Sequence, residues 1–241
     1  MDRDVYRALD ELNETHWWFL GRRAVVSDIL SRLPQFSGRR ILDIGSGAGG
    51  MIETLLPHGT VTAAEGDSAS REALQKRFGE RVRVLPGFLG DIDLAGHDVI
   101  TMFDVLEHIE DDRAALRAIW DALPSGGRFI CTVPAFKLLW SGHDVMSHHF
   151  RRYARAELIR KLTETGFVIE RVTFFNFFLF PAILALRLVF RALGRKDSDF
   201  NVPAPFVNGI LARIFSAERF LLRHMNLPWG VSLLVVARKP E

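Results

Sequence analysis

Two stretches of this 241-residue chain carry residue types whose spacing can do chemistry. In the first, Arg40 to Met51, an apolar run Ile41-Leu42-Asp43-Ile44 breaks into glycines at 45, 47, 49 and 50. Glycines let backbone approach a ligand closely, and a helix starting just after them points free amides at it. Glu65, an acid about twenty residues further on, suits ribose hydroxyls. The second stretch is Trp140-Ser141-Gly142-His143-Asp144, followed by Ser147-His148-His149-Phe150-Arg151-Arg152-Tyr153. Imidazoles titrate near neutral pH, so His143, His148 and His149 are candidate general bases, with Asp144 to orient one of them. Trp140 and Tyr153 would exclude water and Arg151 would meet an anionic substrate. Arg152 and Tyr153 equally suit anchoring the following helix. No spacing of histidine, cysteine or acid resembles a closed metal site, so none is expected.

The elements that must position these residues follow from periodicity. Strands are expected at 40–44, 61–64, 82–85, 98–103, 128–133, 167–174 and 231–238. Helices are expected at 3–14, 24–33, 48–56, 69–78 with Ser68 as N-cap, 111–122, 154–164, 181–193 and 206–224. Strand and helix alternate at crossover spacing, which implies a mostly parallel sheet covered by helices on both faces. Ligands of such sheets lie at the carboxyl ends of the strands, where both stretches fall.

Composition narrows the class. A net charge of +2 gives no reason to expect nucleic acid. Residues 171–241, however, carry 10 Lys+Arg against 4 Asp+Glu on the most apolar part of the chain. That pattern suits an anionic membrane surface or a solvated helix face. The longest apolar run, Phe174 to Leu186, is interrupted by Asn176 and Pro181 and is too short to span a bilayer. The charged N-terminus lacks a signal-peptide apolar region. The single cysteine, Cys131, excludes an internal disulfide, fits a reducing compartment, and reads as a small buried hydrophobe.

Gly45-x-Gly47-x-x-Gly50 alone is only a generic nucleotide cradle. Asp43 at the strand end discriminates, because a carboxylate there suits a cationic ligand group and not a pyrophosphate. With Gly49 the spacing becomes Asp-x-Gly-x-Gly-x-Gly. Together with Glu65, Phe103-Asp104-Val105-Leu106-Glu107-His108 and Pro124-Ser125-Gly126-Gly127, the chain resembles the class I S-adenosylmethionine-dependent methyltransferases. The resemblance runs from about Trp18 to Val172 and over the final strand.

The resemblance implies an α/β, Rossmann-like sheet, mostly parallel and seven-stranded with an antiparallel last strand. It implies S-adenosyl-L-methionine (SAM) as methyl donor and S-adenosyl-L-homocysteine as product. It places the donor on Asp43, Gly45, Ser46, Gly47, Gly49, Glu65, Gly66, Phe103 and Asp104. Many relatives carry an acid after strand three, where this chain has Pro86-Gly87-Phe88 and then Asp91. Trp17-Trp18-Phe19 with Arg22 is either core packing or a lid, in which Trp18 covers the donor and Arg22 pairs with its carboxylate. His108 after strand four either faces the site or caps the helix that follows, and the structural role is the expected one.

The expected organisation is a helical lid segment at 1–38, a core at 39–175 and 227–241, and a helical insert at 176–226. The insert is a self-packed cap, a homodimer interface or an interfacial anchor through 174–224, and best fits a lid or funnel for a bulky apolar substrate. The expected function is methyl transfer to a hydroxyl, or else an amine or carbon, of a small hydrophobic or lipid-linked acceptor. Opposed readings are a non-catalytic SAM-binding or membrane-associated partner and an NAD(P)-linked oxidoreductase. The expected place is the cytoplasm, with peripheral contact at the inner membrane face.

Overall fold

Short β-branched runs alternate with helices along the chain and build one sheet. The computed structural model describes residues 12–193 and 203–241; most of the helix expected at 3–14 and of the linker near 194–202 lies outside them. The strands are β1 (Arg39–Ile44), β2 (Gly59–Glu65), β3 (Val82–Pro86), β4 (Val99–Phe103), β5 (Arg128–Pro134), β6 (Val168–Phe175) and β7 (Ser232–Arg238). Their order is β3-β2-β1-β4-β5-β7-β6. The pairs β3–β2, β2–β1, β1–β4 and β4–β5 are parallel, and β7 runs antiparallel to both β5 and β6. The crossovers diverge between β1 and β4, and that switch point opens a crevice at the strand ends. Every residue of β4 and β5 is buried, as expected for central strands covered on both faces.

The helices are α1 (Trp17–Leu30), α2 (Ile52–Leu55), α3 (Ser68–Phe78), α4 (Asp112–Ala122), α5 (Gly142–Met146), α6 (Arg155–Thr165), α7 (Phe180–Ala192) and α8 (Pro205–Leu222). Three differ from expectation for local reasons. α1 starts at Trp17, before the expected 24, because the His16 side chain accepts the Trp18 amide and caps it, taking the aromatic patch into the helix. α2 is short because the glycine loop before it turns through positive φ, and a 3₁₀ turn containing Pro57 follows it. The N-cap of α3 is Asp67, not Ser68: its carboxylate accepts the Ser70 amide at 2.8 Å.

α7 and α8 lie in the chain between β6 and β7, and α8 packs along α1. Gly21 permits that approach, since a Cβ there would lie 2.2 Å from the Phe215 ring. Asn208 ties the two helices by accepting the Trp17 amide at 2.9 Å and donating to the Thr15 carbonyl at 2.7 Å. Arg223 of the segment after α8 pairs with Asp28 of α1. The N-terminal segment and the insert therefore form one wall over the carboxyl ends of β1, β4 and β5.

Candidate active site

The glycine loop is held by two acids at the ends of β1 and β2. The Glu65 carboxylate accepts the Gly47 amide at 2.8 Å and the Asp67 amide at 2.8 Å, tying β2 to the loop. Both oxygens keep a lone pair for further donors. Asp43 is buried and accepts the Thr101 hydroxyl at 2.6 Å. Burial pushes its carboxyl up to about 6, against the hydrogen bond from Thr101 and the charge of Arg22. Gly47 has φ +53 with open space where a Cβ would stand. The loop is shaped for an object resting on it.

That object would occupy a cavity of about 1170 Å³. Single-ligand clefts run to roughly 300–1,000 Å³, so this one has room for two reactants. One end is lined by Asp43, Gly45, Ser46, Gly47, Glu65, Gly66, Phe103 and Asp104. The Phe88 ring lies over Gly66, and Gly87, Phe88 and Leu89 complete this end beside β3. Gly49 is not part of the wall; it faces Phe78 and Leu74 of α3. Trp18 and Arg22 of α1 line the cavity, with the guanidinium 4.7 Å from the Trp18 ring centroid. Arg22 pairs with Asp104, so its charge is met from within the chain.

At the other end, Glu107, His108, His143, Ser147, His149, Arg152 and Asn176 gather at the floor, below Leu179, Ile183, Leu186, Phe190 and Leu211 of the insert. The His149 Nδ1 stands 2.8 Å from Asp144 Oδ1. Asp144 is fully buried, and it also accepts from Arg152 Nε at 2.7 Å and from the Ser141 amide at 2.8 Å. Burial alone would raise its carboxyl, but the bonds from His149 and Arg152 outweigh it and hold the group well below the ordinary range. Facing a carboxylate, Nδ1 carries the proton, which leaves Nε2 as the basic nitrogen. The capping box of Ser141 and Asp144 at the start of α5 fixes this geometry.

The second stretch divides. His143 and His149 line the cavity, whereas His148 is exposed, at φ +54, and turned away from it. Asp144 acts from behind His149. The four residues expected to bind substrate, Trp140, Asp144, Arg151 and Tyr153, are absent from the cavity wall. Tyr153 is fully buried and donates to Asp112 Oδ2 at 2.8 Å, while Arg151 and Lys161 pair with the same carboxylate. They tie α6 to the start of α4. Burial, then the Asp112 charge, drives the Tyr153 hydroxyl far up, so it stays protonated.

Two cavity residues lack a sequence signal of their own. Glu107 is fully buried, neither carboxylate oxygen has a hydrogen-bond partner, and burial with the neighbouring Asp104 raises it well above the usual range. Asn176 is buried with both ends of its amide unpartnered and φ +57. In sequence, Glu107 belongs to the Phe103–His108 motif without a role of its own there, and Asn176 only interrupts an apolar run. His108 lies in the 3₁₀ turn Leu106–His108, and its side chain does not cap α4, whose N-cap is Asp111. Burial, then the nearby His149, pushes His108 down to about 3.

Comparison with known proteins agrees with the donor end. The family model of the methyltransferase domain matches residues 19–172. A protein of Mycolicibacterium smegmatis named as a probable S-adenosylmethionine-dependent methyltransferase is 27% identical over 169 residues, 68% of this chain and 64% of its own length. The chain thus spans under two thirds of that relative. The mitochondrial ubiquinone biosynthesis O-methyltransferase of Schizosaccharomyces pombe is 27% identical over 195 residues, covering 68% of this chain and 71% of that one. Among solved structures, the complex of the Haloferax volcanii Trm112 methyltransferase activator with a methyltransferase superposes with a TM-score of 0.63 at 19% identity, over 99% of this chain and 96% of that one. That likeness concerns the fold. The chain belongs to the methyltransferase-domain family.

Proposed function

We propose that the methyl acceptor is a hydroxyl on a small apolar or lipid-linked molecule. The observation that carries this reading is the continuity of the cavity. From the glycine loop it runs to the Glu107–His108–His149 group and on to an apolar wall of Leu179, Ile183, Leu186 and Phe190. A methyl sulfonium on the loop would face an acceptor packed against that wall. Transfer requires contact and exclusion of water, which the cover of α1, α7 and α8 favours. The hydroxyl loses its proton at the His149 end, and its oxygen forms the new bond to the methyl carbon. The methyl–sulfur bond breaks with its electron pair left on sulfur, giving S-adenosyl-L-homocysteine. Of the three candidate bases, His149 is the one held by a carboxylate while lining the cavity. Asn176 offers a donor and an acceptor to orient a polar group of the acceptor.

The similarity to ubiquinone biosynthesis O-methyltransferases supports an oxygen on an apolar molecule. The outer face of the insert supports delivery from a membrane surface. No described helix is long and apolar enough to cross a bilayer. Yet Leu186, Leu188 and Val189 of α7 and Phe206, Val207 and Ile210 of α8 are exposed, beside a basic segment. Peripheral contact through 174–224, at the inner membrane face of the cytoplasm, follows from that surface; a homodimer would cover it equally.

Incubating the protein with methyl-labelled SAM and a host lipid extract tests the acceptor. Label should enter the organic phase in a base-stable ether. Label in a base-labile ester or an acid-extractable amine, or none at all, would overturn the hydroxyl assignment.

A further inference from the structure

Glu107, His108 and His149 converge in a way the glycine loop does not explain. One carboxylate oxygen of Glu107 and one ring nitrogen from each histidine all lie within 4.8 Å of one another. The His108 and His149 rings meet edge to face with centroids 4.6 Å apart. Among the described residues this is the one group of three or more such side chains close enough to hold a metal. A second observation points the same way. Glu107 is fully buried, lines the cavity, and has no hydrogen-bond partner on either oxygen. A buried carboxyl without a partner is held in its neutral form by desolvation, and a cation beside it is the complement that lets it ionise.

We propose that Glu107, His108 and His149 form a binding site for a first-row divalent transition ion of the zinc class. Two imidazoles and one carboxylate select such ions over magnesium or calcium, which prefer oxygen ligands alone. Ligand atoms around zinc lie about 2.0–2.2 Å from it. Asp144 behind His149 Nδ1 supplies the carboxylate–histidine support that orients metal-bound imidazoles. Three protein ligands leave a position open to the cavity. Resting on the hydroxyl reading above, that position takes the acceptor oxygen. The ion lowers the pKa of the O–H, the proton leaves to water, and the oxygen then attacks the methyl carbon. With the ion bound His149 serves as ligand; without it His149 is the proton acceptor described above.

The test uses tag-free protein, freed of metal by a chelator and titrated with Co²⁺ alone. One equivalent should bind with a visible absorption band, and Zn²⁺ should displace it. Glu107→Gln and His149→Ala should each weaken binding at least tenfold, and Asp144→Asn about tenfold. SAM binding, measured by calorimetry on the same variants, verifies that they fold. Absence of a stoichiometric band in the parent protein overturns the site. So does binding that persists unchanged in both Glu107→Gln and His149→Ala, or saturation by Mg²⁺ with none by Co²⁺. Stoichiometric cobalt binding in a protein that methylates no hydroxyl leaves the site standing and removes the hydroxyl reading.

Discussion

The two ends of the cavity are built on different principles. The donor end is made largely of backbone: glycines 45 and 47, with two strand-end acids, Asp43 bonded to Thr101 of β4 and Glu65 to the Gly47 and Asp67 amides. The acceptor end is made of side chains from five separate segments: the turn after β4, α5 with its following loop, the residue after β6, α7 and α8. A backbone cradle depends on φ and on missing Cβ atoms, so it is written locally. A side-chain cluster depends on which distant segments meet. The first is suited to one invariable cofactor, and the second allows the acceptor to vary on the same fold.

If the division holds, each end can be broken alone. The largest effect is expected for Gly47→Leu, which puts a side chain where the ligand rests and forces it into positive φ. SAM affinity should fall at least 100-fold by calorimetry, with thermal unfolding showing a folded protein. A smaller loss, about tenfold, is expected for Glu65→Gln, which weakens the charge-assisted bonds that hold the Gly47 amide and would meet the ribose.

Asp43 sharpens the comparison through pH. Its carboxyl is raised to about 6 by burial, and a cationic amino group favours the ionised form. Above pH 6 it is a carboxylate and SAM binds fully; below pH 6 it takes a proton and affinity should drop, by up to about tenfold per pH unit. In Asp43→Asn that dependence should vanish, and a binding profile from pH 5 to 8 checks it.

Tyr153→Phe is the smallest, and it tests the structural role given to that residue. Loss of the bond to Asp112 should cost about 1–2 kcal/mol in a denaturant melt. Transfer per folded molecule should be unchanged. A fall in turnover without loss of stability would return Tyr153 to the substrate site.

Much of the donor end was legible in sequence, because Asp43, the glycines and Glu65 stand at strand ends and turns that a strand–glycine–helix pattern marks locally, although Thr101 and Gly47, which bond the two acids, lie 58 and 18 residues away. The succession of strands and helices along the chain was legible for the same reason, since alternation and turn residues are local. The acceptor end was legible only as a set of residue types. Nothing local distinguishes His148 from His149; a positive φ at His148 sends one side chain to solvent and its neighbour to Asp144. Tyr153 reads as either a substrate contact or an anchor of the following helix until its hydroxyl is seen to donate to Asp112, 41 residues away. Glu107 and Asn176 stand out only once burial shows that they have no partner. Arg22 was readable as a cation near the donor, but not as the partner of Asp104, 82 residues on.

The independence of the two ends is tested most directly by single-turnover methyl transfer in His149→Ala at saturating SAM, using the acceptor recovered from labelled extract. The rate should fall at least about 100-fold while the SAM dissociation constant stays within about twofold of the parent. An unchanged rate, or a loss of SAM affinity in parallel with the rate, would contradict the division of the cavity into a donor cradle and an acceptor-activating end.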